Sequence, residues 1–160
     1  MKILEQRVFR GPSLCCGRRC IQTRVDLGDL AGAVTSDFTG FDTALLSMFP
    51  AMHDFGEAME RGCLMAEVIA RVALELQRLA GAQPERPFAS FMQGKQSQVT
   101  IIVGYQHEQV ARKAIGSAMA IVVALRASLR RGALPARGGK PARLFHPAWQ
   151  RPAGAGEMRY

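Results

Sequence analysis

The sequence predicts an α+β domain: an antiparallel four-stranded sheet with helices packed on one face, in the order ββααββα. Three observations carry that reading. Short, β-branched, alternating segments come in two pairs, KILEQRVF with CIQTRVDL and FASFMQ with VTIIVGY. Longer apolar segments with a helical period lie between the pairs and after the second one. An antiparallel sheet of this size buries one face by laying such helices on it.

Each element follows from local chemistry. Residues 2–9 and 20–27 read as strands, punctuated by Gly11-Pro12 and Gly28. In SDFTGFDTALLSMFPAM, capping-type residues precede a short helix over 41–49, and Pro50 stops it because proline cannot continue the helical hydrogen-bond ladder. A second, longer helix is expected over 56–79, with Gly81 as its C-terminal signal. Pro84 and Pro87 exclude a helix, and FASFMQGKQSQVTIIVGYQ then reads as two strands around a turn near Gly94, the second spanning 99–105. The third helix, 107–131, has an acidic first turn, an apolar body and a basic last turn, as the helix dipole favours.

At 160 residues and 48% hydrophobic, the chain suffices for one domain with a real core. No apolar run is long enough for a membrane span, and Glu5, Arg7 and Arg10 interrupt the N-terminal segment. The expectation is a cytoplasmic protein without a membrane partner. The net charge of +8 is unevenly spread: residues 1–125 hold 13 Lys and Arg against 12 Asp and Glu, whereas residues 126–160 hold 8 against Glu157 alone. Ala, Arg, Gly and Pro supply 19 of the last 29 residues. A domain over 1–131 and a disordered basic tail over 132–160 are therefore expected, the tail offering nucleic acid as an alternative partner.

CCGRRC (Cys15 to Cys20) and Cys63 do not make a metal site, because adjacent cysteines fit one ion poorly and no CxxC pair occurs. No cofactor or metal is expected. The thiols read as small buried apolar groups, with Cys16 and Cys20, beside Arg18 and Arg19, the more reactive. The stretch LMAEVIARVALELQ carries one more signal: Glu67, Arg71 and Glu75 stand four residues apart in an otherwise apolar helix. On a solvated face each opposite-charge neighbour would contribute roughly 0.2–0.5 kcal/mol.

MKILEQRVFRGPS, the strand ending RVDLGDL, TGF before a short helix, and VALELQRLAG (residues 72–81) together resemble the N-terminal domain of cyanophycin synthetase. The likeness covers about residues 1 to 130. It implies a module of an ATP-dependent amide ligase that builds a poly-aspartate chain carrying arginine on each side-chain carboxylate. The family's chemistry resides in ATP-grasp and Mur-ligase-like modules. These 160 residues contain neither, nor a GxxxxGK[ST] phosphate loop, so a stand-alone or truncated module that is not an enzyme on its own is expected.

In some members of the family the helix carries HxxEH, a pattern suited to a metal-dependent hydrolase. Aligned on VALELQ, the histidine positions fall on Glu67 and Arg71 and the glutamate position on Ala70. An arginine has no lone pair to give a metal, so the motif is degenerate and metallopeptidase activity is the least favoured reading. The expectation is a pseudoenzyme site in which Arg71 takes the cationic place between Glu67 and Glu75.

The resemblance further implies polymer binding. Each repeat presents one guanidinium and one carboxylate, which places Arg10, Arg18, Arg19, Arg24 and Lys95 opposite carboxylates and Asp26, Glu67 and Glu75 opposite guanidiniums. The partner is then cyanophycin or a related Asp-Arg polymer; a full-length synthetase, or a second copy in a homo-oligomer, is the protein-partner alternative. Two features depart from the family: the shortened segment PAMHDFGEAMERG, and Leu14, Cys15 and Cys16 where aromatic residues are expected.

Overall fold

The structure, a computed structural model, describes residues 1–11, 19–82 and 88–131. The elements are β1 (Lys2–Phe9), β2 (Cys20–Asp26), α1 (Phe41–Met48), α2 (Gly56–Glu60), α3 (Met65–Leu79), β3 (Ala89–Gln93), β4 (Gln98–Gly104) and α4 (Glu108–Arg130), with short 3-10 turns between β2 and α2. The sheet order is β1-β2-β4-β3, and every neighbouring pair is antiparallel. The strands and the first and last long helices end within about one residue of where the sequence places them. The expected tail, 132–160, lies outside the described residues.

Pleating divides the central strands between two environments, because successive side chains point to opposite faces. Ile21, Thr23 and Val25 of β2 stand opposite Val103, Ile101 and Val99 of β4, and all six are at most 1% exposed. The five aliphatic ones meet Met65, Val68, Ile69, Val72 and Ala73 of α3 together with Ala111, Ile115, Ala118 and Val122 of α4 in one apolar core. Each large aliphatic side chain buried there contributes about 1.5–3 kcal/mol of hydrophobic free energy. Phe41 and Leu45 of α1, and Met52, Phe55 and Met59 near α2, close the end of that core.

The single helix expected over 56–79 is two helices. Gly62, at φ +91, holds a left-handed backbone that ends α2 and lets the chain turn before α3. The break is fastened from outside: Thr35 Oγ1 donates to the Met59 carbonyl (2.5 Å) and accepts from the Cys63 amide (3.1 Å), while the Thr35 amide donates to the Cys63 carbonyl (2.9 Å). A one-residue β-bridge between Val34 and Leu64 continues this strip. Apolar periodicity runs across residues 61–64, which is why it conceals the break; a buried threonine 28 positions before Cys63 decides it.

Polar side chains tie the layers together. Gln77 of α3, fully buried, donates Nε2 to the Gly104 carbonyl at the end of β4 (3.1 Å). Arg112 of α4 donates to Gln6 of β1 (2.9 Å) and to Glu108 (3.1 Å). Arg126 pairs with Asp29 and lies 5.6 Å from the Phe38 ring centroid, pinning the end of α4 to the turn after β2. No helix among the described residues is long and apolar enough to cross a membrane. Cys20 and Cys63 are buried, contrary to the expected reactivity of Cys20; burial pushes the Cys63 thiol up to about 11, so it stays protonated. Cys16 lies outside the described residues.

Candidate functional site

The sheet face turned away from the helices carries the charged groups of β1 and β2. Antiparallel pairing sets Glu5 opposite Arg24 and Arg7 opposite Gln22, while Arg24 faces Thr100 on its other side. A change of register between Ile3 and Glu5 brings this about: a bulge there turns Glu5 and Arg7 to the outer face. Glu5 Oε1 accepts from Arg7 Nε at 2.5 Å and Oε2 pairs with Arg24 Nη2 at 3.1 Å. Hydrogen bonding from Arg7, helped by the charges of Arg7 and Arg24, holds the Glu5 carboxyl below the usual carboxylate range. Glu5, Arg7, Gln22, Arg24 and Thr100 line a shallow recess of about 130 Å³. The two guanidiniums remain open to solvent, with side chains 67% and 52% exposed.

Further along the same strand, Asp26 accepts from the Ser97 hydroxyl (2.6 Å) and the Gly28 amide (2.9 Å), which lowers its pKa. Lys95 sits exposed in the adjoining β3–β4 turn. At the opposite end of the sheet, Arg10, Arg19, His107 and Glu108 border a wider, open depression of about 630 Å³. Glu108 there pairs with Arg112 and, at 3.4 Å, with Arg10, and both interactions lower its pKa.

The expected binding residues therefore occupy separate places. Arg10 and Arg19 share the depression beside the start of α4, Arg24 stands in the middle of the outer face, and Lys95 and Asp26 stand at its far end. Glu67 and Glu75 belong to α3, on the helix side of the sheet, and Arg18 lies outside the described residues. Sequence reasoning did not single out Glu5, Arg7 or Gln22. Their signal is the cross-strand register, which becomes readable only once the bulge before Glu5 is known.

The expected charge pairing of Glu67, Arg71 and Glu75 does not form. Glu75, 9% exposed, accepts two hydrogen bonds from Arg78, Nε at 2.8 Å and Nη2 at 2.5 Å. Arg71 is exposed and sets its guanidinium 5.3 Å from the centroid of the Phe55 ring. The bidentate guanidinium of Arg78 gives Glu75, and the Phe55 ring gives Arg71, a partner other than each other. Ala70, at the position of the motif's glutamate, is 1% exposed and belongs to the core. Among the described residues no three His, Cys, Asp or Glu side chains gather around a common point that would suit a metal ion.

A family model described as cyanophycin synthase-like N-terminal domain matches residues 22–127. The chain belongs to this family. Among curated proteins, cyanophycin synthetase of Geminocystis herdmanii is 34% identical over 93 residues, covering 51% of this chain and 11% of that protein. Cyanophycin synthetase of Crocosphaera subtropica is 34% identical over 91 residues, 49% of this chain and 10% of its own. That of Synechocystis sp. is 33% identical over 93 residues, 51% and 11% respectively. The chain thus spans about a tenth of the length of the relatives it matches. The family match takes in β2, α1, α3, the second hairpin and most of α4. The likeness read in MKILEQRVFRGPS, and with it β1, which supplies Glu5 and Arg7 to the outer-face recess, lies before the matched residues.

Proposed function

We propose that this cyanophycin synthase-like domain is a non-catalytic module that holds a multi-arginyl-poly-aspartate chain for an ATP-dependent ligase. The observation that carries the reading is the outer face of the sheet, where the solvent-open cations Arg7 and Arg24 and the Glu5 carboxylate stand side by side around a recess. A polymer whose every repeat presents one guanidinium and one carboxylate needs a receptor with both signs on one surface. Arg24, Lys95 and Asp26 lie along that face and its far end, and Arg10 and Arg19 extend the cationic surface at the near end. Glu67 and Glu75 would meet guanidiniums only from polymer passing over the helix side.

Arg71 and Ala70 at the motif positions support a holding rather than a catalytic role. A second reading rests on the concentration of 8 basic residues in positions 126–160, which suits a polyanion such as nucleic acid. Titration calorimetry of the full chain separates the two. Soluble cyanophycin should bind with a moderate loss of affinity between low and physiological salt. A nucleic acid held by the basic segment would instead show the steep logarithmic decline of counterion release. No heat with cyanophycin at millimolar repeat concentration, against steeply salt-dependent binding of an oligonucleotide, would replace the first reading with the second.

A further inference from the structure

The recess on the outer sheet face holds more donors than its own ion pairs use. Among its lining residues Glu5 supplies the one carboxylate, and the guanidiniums of Arg7 and Arg24 share it. A guanidinium has five N–H donors in a planar fork, so one carboxylate between two arginines leaves donors on both and one net positive charge on the recess. Gln22 stands between them in the register, opposite Arg7 on β1, and its Nε2 is buried without an acceptor among the described residues. A buried donor left unmet costs free energy that an incoming acceptor recovers. Thr100 adds a hydroxyl that can also donate.

This arrangement is donor-rich, acceptor-poor and positive by one charge, which selects the class of ligand. A guanidinium would have to compete with two tethered arginines for Glu5 and would leave Gln22 Nε2 unmet. A neutral amide would leave the charge unbalanced. A carboxylate brings lone pairs to the unused forks and to Gln22, and closes the charge to zero. Glu5 itself demonstrates the geometry, since a carboxylate already sits between both guanidiniums.

We propose that the recess lined by Glu5, Arg7, Gln22, Arg24 and Thr100 is a carboxylate subsite and, resting on the polymer reading above, that it takes the free α-carboxylate of an arginyl branch. The ligand's own guanidinium then points away from the recess, toward solvent or toward Asp26 further along the strand. Sites of this kind are met by successive branches, so each engagement is weak and the polymer's affinity arises from repetition.

The test is nuclear magnetic resonance of the isotope-labelled full chain, titrated with the β-Asp-Arg dipeptide and with the same dipeptide carrying a carboxamide in place of the arginine α-carboxylate. The dipeptide should shift the Gln22 side-chain NH₂ signals and the Arg24 backbone amide saturably. The carboxamide should bind about tenfold more weakly or not at all, because the charge-assisted bonds are gone. Arg7→Gln and Arg24→Gln, both at exposed side chains, should each weaken the dipeptide to a similar degree, whereas Lys113→Gln on the outer side of α4 should not. Equal response to acid and amide, or no response at Gln22, overturns the subsite. If the polymer binds in calorimetry while Gln22 stays silent, the subsite falls and the polymer reading stands. If the dipeptide acts as described but the polymer does not bind, the subsite stands and the polymer reading falls.

Discussion

The two faces of the sheet are made by the same strands and share almost no chemistry. Toward the helices, Ile21, Val25, Val99, Ile101 and Val103 are at most 1% exposed and touch a continuous apolar core. Away from the helices, on the alternate residues, stand Gln22, Arg24 and Thr100, with Glu5 and Arg7 beside them and Ile102, 6% exposed, as an apolar member of that face. The inner face is held by area removed from water, which tolerates no gap; the outer face is held by partner choice among charges in water, which tolerates exchange. A face of the second kind is free to accept a ligand without unfolding anything, and this is why the binding proposals lie there.

The largest expected effect breaks the comparison at adjacent residues of β4. Ile101→Ala, at a fully buried position, should cost about 2–5 kcal/mol through lost transfer energy and a residual cavity. Thr100→Ala, its neighbour on the outer face, should stay within about 0.5 kcal/mol. Urea denaturation of both variants measures the difference. Comparable losses would mean that the outer face is covered in solution and unavailable as a binding surface.

The inner face was legible in the sequence because period-2 alternation and β-branching both report it, and the helices that cover it announce themselves by period and end signals. The break at Gly62 was not, because it depends on Thr35, a contact between distant segments that leaves no periodic trace. The outer-face recess was half legible. Arg24 stood out as a charge on a strand, but Glu5, Arg7 and Gln22 acquire meaning only through the β1–β2 register, and that register contains a bulge. Charge spacing was the least informative signal: the four-residue stripe on α3 suggested partners that differ from those the side chains take.

A smaller effect concerns the acid limit of stability and sharpens the contrast at the far end of the outer face. The Ser97 hydroxyl and the Gly28 amide donate to the Asp26 carboxylate and hold its folded pKa below the ordinary value of about 3.9. The stability this contributes is complete above the unfolded value and is lost as pH falls through the folded one. Asp26→Asn should therefore lower the thermal midpoint at neutral pH and flatten its decline below about pH 4, which a series of thermal melts from pH 6 downward would record. An unchanged acid limb would show that Ser97 and Asp26 do not stay together in solution.

The smallest effect returns to α3. If Glu67, Arg71 and Glu75 formed the charge network that their spacing suggests, a double-mutant cycle over Glu67→Gln and Arg71→Gln would show a coupling of about 0.3 kcal/mol or more, the ordinary worth of a well-placed i,i+4 pair. The geometry predicts a coupling indistinguishable from zero, since Arg71 is engaged with the Phe55 ring and Glu75 with Arg78. A companion cycle over Arg71→Gln and Phe55→Leu should show the larger coupling, because the ring supplies the partner that the carboxylates do not. Phe55 is 5% exposed and contributes to the core, so Phe55→Leu alone will destabilise the fold, but the cycle subtracts that loss and isolates the contact. Coupling to Glu67 and none to Phe55 would restore the charge network.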